Sequence, residues 1–302
     1  MQHITFIQAI VIGLLQGVTE LFPISSLGHS ILVPAWLGGS WTTLVTDQSK
    51  AESPYLAFIV ALHVATALAL VVLFWRDWVG IIRGFFTSLR YRRIATTHER
   101  LAWLIVLSTI PAGLLGLLLE HQLRTLFAKP LFAAIFLTIN GLILLTAERL
   151  RRRAPQHRPA PDEIDAEGRV PGLDVAMTQQ VSARDAGVIG VLQSGALLAG
   201  ISRSGITMAG GLLRGLTHEE AVRFSFLLAT PIILAAGVYK VPDLMGPLGD
   251  GIRAQSLAGA GAAFVAALAA ATLLQRWFKT RTLTPFAYYC LAAGVISIVR
   301  FA

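Results

Sequence analysis

Six apolar runs, at about 55–75, 102–119, 130–147, 222–240, 255–275 and 284–301, govern what this chain can become. Each is close to the twenty or so residues that a helix needs to cross a hydrocarbon core about 30 Å thick. Of the 302 residues 55% are apolar and 14% charged, and mean hydropathy is +0.66. A soluble domain carries about 25% charged residues. Two soluble domains, a disordered chain and a disulfide scaffold are thereby excluded. The single cysteine, Cys290, lies in an apolar run and can form no intrachain bridge. Stability has to come from helix packing in lipid. Residues 1–22 lack a basic n-region and a small-residue cleavage site, and Glu20 interrupts the run, so no cleavable signal is expected.

Two further apolar stretches, about 4–38 and 185–214, are broken in the middle. The breaks are Phe22-Pro23-Ile24-Ser25-Ser26-Leu27-Gly28-His29 and Ala199-Gly200-Ile201-Ser202-Arg203-Ser204-Gly205. Irregular backbone at membrane depth persists only where protein or a water-filled cavity surrounds it. Both stretches therefore read as re-entrant helix–loop–helix hairpins. The net charge of +8 comes from arginines between the runs, which points to orientation in the membrane rather than to nucleic acid. Residues 76–100 hold six arginines and 149–158 five, whereas 39–54 has only Lys50. The arginine-rich side is expected to be cytoplasmic. The mixed-charge, proline-containing stretch 148–184 is then a flexible cytoplasmic connection. With 215–221 also inside, 185–214 must enter and leave on one side, as a hairpin does.

Laying residues 11–29 over 188–206, at a constant offset of 177, matches nine of nineteen positions, among them Gly13/Gly190, Gln16/Gln193, Ser25/Ser202 and Gly28/Gly205. Three crossings lie between the copies, so the second is inverted. The expected fold is an all-α polytopic membrane protein with an inverted-topology repeat, each half one hairpin plus three spans. Residues 1–150 form the first half, 151–183 the linker and 184–302 the second half. Such repeats place a polar site at their interface near the midplane.

Ionisable groups inside apolar segments are costly and mark candidate sites. Glu20, Ser25, Ser26 and His29 fall within ten residues, and Arg203 lies among Ser202, Ser204 and Thr207. Gln16 shares a helix face with Glu20. Glycines at 200 and 205 permit close backbone approach, and a guanidinium forks onto phosphate oxygens. His63, alone in the run Ala61-Leu62-His63-Val64-Ala65-Thr66, either lines the same cavity or bonds another helix. A Walker loop, a cysteine metal set and an HExxH helix are all missing from the sequence.

The stretch Gln16-Gly17-Val18-Thr19-Glu20-Leu21-Phe22-Pro23-Ile24-Ser25-Ser26-Leu27-Gly28-His29 resembles the first signature of the undecaprenyl-diphosphate phosphatase, or bacitracin-resistance, family. Gly200-Ile201-Ser202-Arg203-Ser204-Gly205-Ile206-Thr207 resembles the second, and Arg223-Phe224-Ser225-Phe226-Leu227-Leu228-Ala229-Thr230-Pro231 a further family stretch. The resemblance implies removal of the terminal phosphate from the C55 isoprenoid diphosphate, which recycles the carrier for wall polymers. It puts Glu20 on the acidic motif residue, Ser26 and His29 on the nucleophile and its partner, and Arg203 on the phosphate-binding arginine. Gln16, Ser25, Ser202, Ser204 and Thr207 become substrate-binding neighbours. Glu20 would orient His29 or hold a divalent cation, Mg or Ca. Direct attack by water is the alternative to a covalent serine. Expected partners are a polyprenyl diphosphate lipid and the bilayer, with no nucleic acid and a homodimer as one open assembly. The expected location is the bacterial inner (plasma) membrane, multi-pass, the site opening to the outer face. Two residues depart from the pattern: Gln16 where many members have Glu, and Ala199 where the second motif has Pro. A transporter or flippase of the lipid phosphate is the competing function, since inverted repeats with broken helices also build carriers.

Overall fold

A computed structural model describes residues 4–42, 44, 54–127, 129–151 and 173–302. Most of the expected linker, 152–172, thus lies outside the described residues. Within them every regular element is a helix. The first hairpin is α1 (Phe6–Leu21) and α2 (Ser26–Leu37), followed by α3 (Pro54–Leu73), α4 (Trp75–Tyr91), α5 (Thr97–Phe127) and α6 (Pro130–Arg151). After the short α7 (Leu173–Gln180) come the second hairpin, α8 (Ala183–Gln193) and α9 (Arg203–Leu213), then α10 (His218–Lys240), α11 (Arg253–Trp277) and α12 (Thr284–Phe301). Helices α3, α5, α6, α10, α11 and α12 are each long and apolar enough to cross a membrane, and they coincide with the six apolar runs. The hairpin helices have 16, 12, 11 and 11 residues. At 1.5 Å per residue they reach only about 16–24 Å, so none crosses alone.

Three of the pairs matched at offset 177 do the same local work in both hairpins. Ser25 caps α2, its hydroxyl accepting the Gly28 N–H at 3.2 Å; Ser202 caps α9, accepting the Gly205 N–H at 3.1 Å. Such caps satisfy amides that the first helical turn leaves open. Gly13 of α1 faces the Gly259 backbone of α11, and Gly190 of α8 faces the Ser108 backbone of α5. A Cβ at either position would overlap a carbonyl oxygen, which is how small residues let helices approach in lipid. In the same sense α1 lies along α11 and α8 along α5, while α6 packs on α12 and α3 on α10.

One element departs from the sequence reading. The first span, expected at 55–75, ends at Leu73, where Phe74 leaves helical geometry (φ −107°, ψ 28°). The arginine-rich stretch beyond it then forms α4, which packs on the start of α5: Trp103 Nε1 donates to Ser88 Oγ at 2.9 Å, and the Phe85 and Trp103 rings lie 5.4 Å apart.

Candidate functional site

Proline brings no N–H and disfavours helical geometry in its predecessor; here Phe22 turns extended (ψ 142°) before Pro23, and α1 stops at that corner. Ser25 then adopts a φ of 70°, a region that L-residues avoid. Two amides hold it there: besides Gly28, the Gly200 N–H from the other hairpin donates to Ser25 Oγ at 3.1 Å. A second clamp comes from α6. Asn140, fully buried, donates through Nδ2 to the Pro23 carbonyl at 3.0 Å and accepts the Ser202 N–H on Oδ1 at 2.9 Å. Ser204 Oγ donates to the Phe22 carbonyl at 3.2 Å. The two tips are therefore bonded to each other and through one amide side chain. Both α2 and α9 begin at this junction, and their N-terminal amide dipoles favour an anion.

Glu20, at the end of α1, is the hub. Its Oε1 accepts from Arg203 Nη2 at 2.6 Å; its Oε2 accepts from Ser26 Oγ at 2.5 Å and from Gln16 Nε2 at 3.1 Å. His63 Nε2, from α3, lies 3.3 Å from the same Oε2. Arg203 Nη1 is buried and has no hydrogen-bond partner. A buried donor left open costs about 1–3 kcal/mol, more when charged, so this atom marks where an anion is wanted. Glu20, Ser26, His63 and Arg203 line a cavity of about 300 Å³. Ser25, Ser202 and Gln193 complete its polar end, and Leu56, Ile59, Val60, Ile232, Ile233 and Ala236 form an apolar wall from α3 and α10. A polar end with a cation and an apolar flank suits an amphiphilic phosphate ester.

The donor set does not suit a resident Mg or Ca ion. Such cations want six or more oxygens, yet among the described residues Glu20 is the one carboxylate in the cavity lining and shares its oxygens with Arg203 and Ser26. Among the described residues there is no group of three His, Cys, Asp or Glu placed to hold a metal.

A profile of the family described as "Bacitracin resistance protein BacA" matches residues 9–296. The chain belongs to this family. Relatives share the sequence along nearly its whole length. An "Undecaprenyl-diphosphatase 2" of Frankia alni is 54% identical, covering 100% of this chain and 99% of that protein. An "Undecaprenyl-diphosphatase" of Mycolicibacterium paratuberculosis is 58% identical over 99% of this chain and 98% of that protein. An "Undecaprenyl-diphosphatase 2" of Chromobacterium violaceum is 40% identical over 97% and 98%.

Against the two BacA-family signatures, the structure gathers some of the singled-out residues and separates others. Glu20, Ser25, Ser26, Ser202 and Arg203 meet at the cavity, with Gln16 bonded to Glu20 behind it. His29 is not brought to the Ser26 hydroxyl. Its Nδ1 is 2.7 Å from the Ser25 carbonyl and its Nε2 2.7 Å from the Tyr289 hydroxyl, and its ring stacks on Tyr289 of α12. A carbonyl only accepts, so Nδ1 carries a proton and Nε2 accepts from Tyr289. The expected Ser26–His29 pairing is replaced by Ser26–Glu20. Thr207 is fully buried, donating to Ser225 Oγ at 2.6 Å beneath the site, and Ser204 bonds backbone. Neither lines the cavity. Asn140 and Gln193 were missed from sequence. Gln193 has a visible signal, being the repeat partner of Gln16; Asn140 shows only as one amide in an apolar span.

Proposed function

We propose that this protein hydrolyses undecaprenyl diphosphate to undecaprenyl phosphate and inorganic phosphate, recycling the lipid carrier for cell-wall synthesis. The relatives' names suggest the substrate. The observation that carries the chemistry is Glu20, which holds the Ser26 hydroxyl on one oxygen and Arg203 on the other. Arg203 Nη1 takes an oxygen of the terminal phosphate and stabilises charge as the bond to the bridging oxygen breaks. Ser26 Oγ attacks the terminal phosphorus while its proton passes to Glu20 Oε2, a nucleophile-and-base pair. The lipid monophosphate departs with the electrons of the broken P–O bond. Water then attacks the phosphoserine; Ser26 recovers its proton from Glu20, and the proton of water leaves with inorganic phosphate. The divalent cation of the family resemblance is assigned to the substrate as counter-ion, not to the protein.

The two halves, 1–150 and 184–302, are read as inverted copies joined by a linker, a reading supported by the matched caps and crossings. The chain is a multi-pass membrane protein. We read it in the bacterial plasma membrane with the cavity opening outward; in support, the apolar wall runs toward the start of α3 and the end of α10. Those ends adjoin 39–54 and 241–252, the arginine-poor segments. The test is phosphate release by purified protein in detergent, where no compartments exist. Release that Ser26→Ala abolishes supports the phosphatase; lipid movement in vesicles without any release would favour a carrier.

A further inference from the structure

Helix α4 follows a span directly yet cannot be one. Its 17 residues include Arg76, Asp77, Arg83 and Arg90. One face, with Ile81, Gly84 and Ser88, is buried against the body of the protein, and Asp77 ties it to α10 through Arg223 at 2.6 Å. A second face is apolar and uncovered: Trp75, Val79, Ile82, Phe86 and Leu89 are all exposed, Phe86 to 64%. Their spacing of four, three, four, three is a single helical stripe. Arg76, Arg83 and Arg90, each seven residues apart, form a parallel line about 80° further round the helix. All three are exposed, and none is paired with a carboxylate among the described residues. Trp75 and Tyr91 stand at the two ends, each under an arginine, Arg76 at 5.4 Å and Arg90 at 5.8 Å.

We propose that α4 lies in the membrane interface on the arginine-rich side, its apolar stripe in the acyl boundary and Arg76, Arg83 and Arg90 on anionic lipid headgroups. The spanning helices on either side end at Leu73 and begin at Thr97, so both ends of α4 are held close to the surface. A helix standing in water would expose five large apolar side chains for nothing. Sunk a few ångströms into the headgroups, it buries them and lets the arginines reach phosphates. The aromatic ends match the residues that membrane interfaces favour.

The test uses full-length protein in vesicles of phosphatidylcholine and phosphatidylglycerol. The native Cys290 is fully buried, so a nitroxide attaches to a cysteine introduced at Ile82, Phe86 or Arg83. Labels at 82 and 86 should collide with oxygen and be shielded from an aqueous nickel chelate; the label at 83 should meet the chelate. A chelate-accessible label at 86 overturns the proposal by placing α4 in water, and a label reached by neither reagent overturns it by showing a protein partner. The headgroup part is read with spin-labelled lipids. The protein should immobilise phosphatidylglycerol in preference to phosphatidylcholine, and Arg76→Gln/Arg83→Gln/Arg90→Gln should lower that preference at least fivefold, since even one arginine near an anionic surface is worth about that much. Unchanged preference in the triple variant refutes headgroup binding.

Discussion

Replacing Asn140 by leucine should disable the enzyme from a residue that never touches substrate. The side chain is fully buried and bonds one group from each hairpin tip, the Pro23 carbonyl at 3.0 Å and the Ser202 amide at 2.9 Å. Leucine has similar volume and offers neither bond. The Ser202 amide then has no partner and the Pro23 carbonyl keeps only the long thiol contact of Cys290 at 3.9 Å; a stranded backbone group costs about 1–3 kcal/mol, together roughly 2–6 kcal/mol unless the tips part and find water. The remaining bonds between the hairpins, Gly200 to Ser25, Ser204 to Phe22 and Arg203 to Glu20, then resist that separation. Even the lower figure, if expressed in the catalytic geometry, is about thirtyfold in rate. Turnover should be followed as phosphate release in detergent, alongside thermal unfolding. Wild-type turnover and unfolding temperature in Asn140→Leu would refute the claim that this amide joins the tips.

Arg203→Lys should cut kcat/KM by about a hundredfold or more, because a point charge cannot hold Glu20 and fork onto phosphate together; steady-state kinetics across lipid concentrations checks it. His29→Gln should keep most of the turnover of wild type while lowering the unfolding temperature, since the side chain serves Tyr289 and not Ser26. Gly13→Val should fail to yield folded protein, its Cβ colliding with the Gly259 carbonyl, which fluorescence-detected size exclusion will report; Gly187→Ala, where a Cβ meets open space, should behave as wild type.

The spans were legible because length and apolarity are direct consequences of a hydrocarbon solvent, and no partner residue is needed to read them. The hairpins were legible for the complementary reason, that polar groups in mid-run demand protein around them. At the offset of 177 three pairs share a role: serine and glycine where helices begin, glycine where two backbones touch. What sequence could not provide was side-chain heading. His29 lies three residues from Ser26, close by helical spacing, but the Ser25 carbonyl captures its Nδ1 and turns the ring to α12. His63, isolated in an apolar run, instead reaches Glu20 across the cavity. Helix α4 stayed hidden because its arginines drew attention to charge, and its apolar stripe emerges only when the same residues are placed on a wheel. Asn140 looks like any buried amide until both its partners are known.

The central claim is that Glu20 activates Ser26 as a nucleophile, and rapid quenching tests it most directly. Wild-type protein mixed with diphosphate lipid labelled in the terminal phosphate should, within one turnover, carry label on Ser26. Ser26→Ala should carry none. Glu20→Gln, which leaves Arg203 in place but removes the proton acceptor, should form the phosphoserine at least a hundredfold more slowly, the range expected for loss of a positioned base. Turnover surviving in Ser26→Ala, or phosphoserine forming at the wild-type rate in Glu20→Gln, would contradict the account.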